Sequence, residues 1–222
     1  PSQLPKEQLE GMTVSVPVRN NGSETVSGTV TAVAGGQQVG SATFTDLALG
    51  TTINVEVPVT LAAEAGDVTV EVEAAIDGHE DGNASDNKAK AGLTITEKVY
   101  AYDYMTEDKY SPDYVIGVQT GNAVAAIPFR INKETKLEAV SVGWGQVDGQ
   151  TIGLIVLEYD PEAQPDGNGY MPVGDEVYYT EVAQGSEVGQ IEYALPEAVT
   201  LAPGTYMIGV SYTGYALAVD NV

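Results

Sequence analysis

The sequence predicts an all-β protein made of two β-sandwich domains in tandem. Three observations carry that prediction. Apolar residues alternate with polar ones over most of the chain, and no stretch shows the 3.6-residue period of a helix. Turn signals rich in Gly, Asn, Asp and Pro separate the alternating runs at short intervals. The length, 222 residues, exceeds that of one ordinary domain, and the composition changes near residue 97. The first domain is therefore assigned to residues 1–97 and the second to 98–222.

Residues 1–11 hold two prolines and several charges and read as a lead-in. Met12, Val14, Val16 and Val18 then alternate with polar neighbours, the mark of a half-buried strand. Asn20-Asn21-Gly22 turns the chain. A second strand follows near Val26 to Ala34, and a third near Gln38 to Leu47 that ends at Gly50. In the fourth, Ile53, Val55, Val57 and Val59 share one face. Pro58 cannot donate to a ladder, so this strand belongs at an edge or a bulge. The fifth sets Val68, Val70, Val72, Ala74 and Ile76 against Asp67, Thr69, Glu71 and Glu73. An acidic loop, Asp77 to Asn87, leads into a sixth strand near Lys88 to Ile95.

Several local motifs in this half occur together. A strand ends in Asn-Asn-Gly, a Leu-x-x-Gly turn follows (Leu47, Gly50), Ala65-Gly66 precedes a strand, and the acidic loop closes with Ser85-Asp86-Asn87. In this order the segment from about residue 12 to 96 resembles the bacterial CARDB modules, which are named for cell adhesion. The resemblance implies an immunoglobulin-like sandwich. Such modules usually carry one more strand before the first one visible here, so the chain is expected to lack it, leaving unpaired backbone groups at a sheet edge.

Tyrosines crowd the start of the second half, at 100, 102, 104, 110 and 114. Strands are expected near Tyr114 to Gln119, Ala123 to Ile131 and Lys136 to Trp144. The last loses its alternation between Leu137 and Val140, which predicts a bulge. Thr151 to Tyr159 is almost continuously apolar, the pattern of a strand buried on both faces. After a Pro- and Gly-rich turn region, Asp160 to Asp175, strands resume near Glu176 to Val182, Gly189 to Leu195, Gly204 to Tyr212 and Tyr215 to Val219. About eight strands with long connections argue a jelly-roll-like sandwich. The run from Pro196 to Val210 (PxxxxLxPGTYxIGV) resembles a domain of Bacteroidetes surface proteins attached to secreted peptidases and adhesins. That resemblance implies location more than function.

Composition narrows the function classes. Thirty-two acidic residues against nine basic ones give a formal charge of −23. Such a chain does not bind nucleic acid phosphates, which call for clustered Lys and Arg. No apolar run is long enough to span a bilayer. The absence of cysteine, the acidic balance and the abundance of Gly, Thr, Val and Tyr fit an exported bacterial protein, secreted or held at the outer surface. The start at Pro-Ser-Gln-Leu-Pro, without Met, reads as a mature region or a piece of something longer.

Chemistry is sparse. There is no Cys, no Gly-x-Ser-x-Gly elbow, and one histidine, His79, on a glycine-flanked loop. A catalytic triad and a His/Cys zinc site therefore lack the parts they need. The acids supply too many carboxylate pairs for any one pair to indicate a glycosidase. No catalytic residue is assigned. Two loops have the oxygen-rich composition calcium prefers: Asp77, Asp81, Asn83 and Asp86 in the first half, and Asp160, Asp166 and Asn168 in the second. The spacing is not that of an EF-hand, and Asp and Asn also serve as turn formers. Trp144, Tyr170 and Tyr178, with Tyr179 and Tyr215 nearby in pattern, are candidates for stacking on a sugar ring. The expectation is a non-catalytic adhesion, ligand-binding or spacer segment whose partner is a protein or carbohydrate at the cell surface. The alternative is a carbohydrate-binding module accessory to a secreted peptidase or glycosidase.

Overall fold

The computed structural model describes residues 1–78, 81–102, 115–163 and 173–218, with side chains omitted at 115–120 and 215–218. The chain divides into two compact units, Pro1–Tyr104 and Met105–Val222.

In the first unit a five-stranded sheet faces a two-stranded one. The larger sheet holds β1 (Gln3–Pro5), β3 (Val26–Ala34), β4 (Gln37–Leu47), β6 (Gly66–Ile76) and β7 (Lys88–Thr96), in the order β1-β7-β6-β3-β4. The smaller pairs β2 (Thr13–Arg19) with β5 (Thr52–Pro58). The core forms where the apolar faces meet: Val16 from β2, Val55 and Val57 from β5, Val30 and Ala32 from β3, and Val70 and Val72 from β6. These are the alternating positions of the sequence, so burial follows the period of two. In a two-stranded sheet both strands are edges, which is why Pro17 and Pro58 are tolerated. Gly28 is needed for packing. A Cβ there would lie 2.6 Å from the Phe44 ring and 2.2 Å from the carbonyl oxygen of Ala75.

The amino-terminal segment differs from a plain lead-in. Gln3–Pro5 pairs in parallel with β7, matching Leu4 to Ile95, and Leu4 and Leu9 join Leu93 and Ile95 in a small second core. The strand expected to be missing is thus present. With three residues, the last of them Pro5, it is too short to show an alternation. Ala101 also belongs to this unit. Its carbonyl accepts from the backbone N–H of Ser2 and Gln3, and its own N–H donates to Gln3 O at 3.0 Å.

Among the described residues the second unit has six strands: β8 (Val115–Ile131), β9 (Thr135–Trp144), β10 (Thr151–Tyr159), β11 (Val173–Ala183), β12 (Gly189–Leu201) and β13 (Gly204–Ala218). Two of them serve both layers. β8 and β13 run antiparallel to each other along their length, with positive-φ glycines at Gly121 and Gly214 and a register shift between Thr213 and Tyr215. On one side of this break, β13 joins β10 and β10 joins β11. On the other, Leu217 meets Trp144 of β9, and β9 joins β12. Counting the halves of β8 and β13 separately gives eight segments. Their orders are first-eighth-third-sixth in one sheet and second-seventh-fourth-fifth in the other, the arrangement of a jelly roll. The eight strands expected from the sequence correspond to these segments, with two pairs continuous through a glycine bend.

Val142, Trp144, Tyr193 and Leu195 from one layer pack on Ile152, Leu154, Val210 and Tyr212 from the other. β10 is not buried equally on both faces. Ile152, Leu154 and Val156 are fully enclosed, whereas Ile155 and Leu157 on the outer face are half-buried. The irregularity expected near Leu137 lies opposite it. β12 loses register between Ala194 and Val199, where it faces Ala139 and Leu137.

Candidate functional site

The acidic loop is held by its own side chains. Asp81 Oδ1 accepts the backbone N–H of Asn83 at 2.8 Å, and its Oδ2 accepts from Asn87 Nδ2 at 2.8 Å. Those two bonds hold the Asp81 carboxyl below the usual range. Asn83 donates to Asp86 Oδ2 at 3.0 Å and accepts from the Ser85 hydroxyl at 2.7 Å. Asp77, Asp81, Asn83 and Asp86 are all exposed. Among the described residues no three acidic or histidine side chains converge on a point that could hold a metal ion. The loop's oxygens are thus largely engaged as turn formers. His79 lies outside the described residues, as do Asp166 and Asn168. Asp160, the described member of the second calcium candidate, accepts the N–H of Glu162 in the same kind of turn, at 2.9 Å.

The motif residues of the first unit meet at Asn20. Its amide nitrogen donates to the carbonyls of Glu24 and Leu47, and its Oδ1 accepts from Gly22 N–H. Its backbone carbonyl accepts from Gly50 N–H at 2.7 Å. The Asn-Asn-Gly and Leu-x-x-Gly turns, far apart in sequence, are two halves of one buried clasp.

The aromatic candidates separate. Trp144 is 0% exposed. Its Nε1 donates to the Tyr193 hydroxyl at 2.7 Å, and its ring meets Tyr212 edge-on. A ring enclosed in this way offers no face to a sugar, so Trp144 is a core residue rather than a binding platform. Tyr193 in turn donates to the carbonyl of Gln184, a wholly buried residue that sequence reasoning missed. Gln184 Oε1 accepts from Asp148 N–H, and its Nε2 donates to Gln146 O. No sequence pattern marks it, because its burial depends on the loop at 145–150 folding over it. Tyr178 pairs with Val156 and packs on the core, half-buried. Its neighbour Tyr179 points outward and is 44% exposed, as alternation requires. Tyr170 lies outside the described residues, as does the side chain of Tyr215.

The Tyr179 ring covers Gly153, where a Cβ would fall 2.4 Å from a ring carbon. Its hydroxyl lies 3.3 Å from Glu181 Oε1 and donates to it. Partial burial, the charge and hydrogen bond of Glu181 and the charge of Glu176 push the phenol above its ordinary range.

A family model described as CARDB matches residues 4–91. The first unit is therefore CARDB-like, and its five-plus-two sandwich is the immunoglobulin-like fold expected of it. No curated protein matches the chain. Among solved structures, the crystal structure of calcium binding domain CBD12 of CALX1.1 is similar over 99% of this chain and 79% of its own, at 11% identity and a TM-score of 0.26. A TM-score that low carries no argument about fold or ligand.

Proposed function

We propose that the chain is a non-catalytic adhesion or ligand-binding segment of a secreted or surface-anchored bacterial protein. The observation that carries this reading is the CARDB match over the first unit, a family named for cell adhesion. The sequence supports it with its sparse chemistry, one His and no Cys, and in the first unit Asp81 closes a turn and Glu71 pairs across strands with Lys90. Function then rests on surface complementarity, without bond-making. Antibody labelling of intact cells producing the full-length protein tests the location: signal before permeabilisation is expected, and signal only afterwards sinks the reading.

In this reading the Asp77–Asn87 loop serves as a structural turn, because Asp81 accepts from Asn83 on one oxygen and from Asn87 on the other. The melting temperature should be the same in EDTA and in millimolar calcium. A rise with calcium would restore Asp77, Asp81, Asn83 and Asp86 as ligands.

A further inference from the structure

The outer face of the β11-β10-β13-β8 sheet carries a recess of about 180 Å³ at the end near the Thr213 bend. One row across the four strands runs Glu181, Gly153, Ser211, Val124. Tyr179, two residue pairs further along, leans diagonally over Gly153 and walls the recess on one side. Thr151, Thr213 and Asn122 complete the rim. Gly153 and Ser211 lie side by side in the row, and the absence of a side chain at Gly153 lets the Tyr179 ring pack over it.

The chemistry of this rim is specific. Its side chains offer an exposed aromatic ring, one carboxylate, three hydroxyls and one amide, with no cation. Among the described residues the side chains of Asn122, Thr151 and Ser211 make no hydrogen bond, so their donors and acceptors are available to a ligand. Thr213 differs, because Gln150 Oε1 accepts from both its N–H and its hydroxyl. That pair, with Gln150 Nε2 donating to Thr213 O at 3.0 Å, fixes the rim at the glycine bend. Glu181 and the net charge of −23 disfavour an anionic ligand. A cationic peptide would be better served by several acids than by one carboxylate among neutral groups. A neutral sugar ring uses all the parts: its C–H face on the aromatic, its hydroxyls on the carboxylate, amide and hydroxyls.

We propose that this recess binds one ring of a neutral carbohydrate, with Tyr179 as the stacking platform and Glu181, Asn122, Thr151 and Ser211 as hydrogen-bonding partners. No covalent step is involved. The site is independent of where the full-length protein is displayed, so its failure would leave the surface reading standing.

The test uses the whole chain on an array of uncharged oligosaccharides, including xylan, β-glucan, mannan and galactan fragments, followed by titration calorimetry on any binder. Tyr179→Ala should weaken binding about tenfold or more, while Tyr179→Phe should stay within about threefold, because the ring carries the contact. Glu181→Gln should weaken it less than Tyr179→Ala. Tyr159→Ala, an exposed aromatic of the same sheet outside the recess, should leave it unchanged. Circular dichroism melts confirm that each variant is folded. Three results would overturn the proposal: no binder on the array, binding indifferent to Tyr179→Ala in a folded variant, or a site that takes an oligolysine peptide in preference to every neutral glycan.

Discussion

A single hydroxyl joins three parts of the second unit. Tyr193 accepts from Trp144 Nε1 and donates to Gln184 O, so two buried polar groups depend on it. Tyr193→Phe keeps the packing but strands both, and should cost about 2–4 kcal/mol in urea unfolding. The pH dependence follows from the same contacts. Burial raises the Tyr193 phenol, against the opposing effect of the Trp144 N–H. A pKa raised in the folded state means stability that is whole below the ordinary phenol range and lost as pH rises through the folded value. Alkaline destabilisation should therefore be steeper in the native chain than in Tyr193→Phe. The sequence could name the residue types in this chain of bonds but not their meeting, since Trp144 and Tyr193 are brought together only by the pairing of β9 with β12. The same reason explains why Trp144 looked like a platform: composition marks a large ring, and only the fold shows which side of the sheet it takes. Tyr178 and Tyr179 show the converse. Alternation required one of the pair to face outward, and sheet topology decided which.

At the scale of elements, the strands were legible because each half-buried one repeats its apolar residues at every second position. β3 runs over the residues expected from that period, and β10 over those expected from its nearly continuous apolar run. Two features escaped it. β1 is three residues long, below the length at which a period can be seen. The continuity of β8 and β13 through Gly121 and Gly214 was hidden because a glycine in such a run reads equally as a turn or as a bend. Both residues have positive φ, +86° and +74°, with open space where a Cβ would go. Gly214→Ala should therefore act through backbone strain alone, lowering stability by about 1–2 kcal/mol in denaturant unfolding. It should also disturb the Gln150–Thr213 bonds beside it, visible as a shift of the Thr213 amide resonance. An unchanged stability would mean that the bend does not need the left-handed conformation.

Across the whole molecule, the two sandwiches differ in construction. The first is the CARDB-like unit, built around the Asn20 clasp and a valine core. The second is a jelly roll whose outer face carries Tyr179 and Glu181 beside a polar rim. A charge of −23 repels anionic surfaces but says nothing of the fold. The most direct measurement of an adhesive role is competition: cells displaying the full-length protein are allowed to attach to their substratum in the presence of excess soluble chain. Attachment should fall as the soluble chain occupies the partner. Attachment unchanged at saturating chain, on cells shown to display the protein, would contradict the account and leave the two units as a spacer.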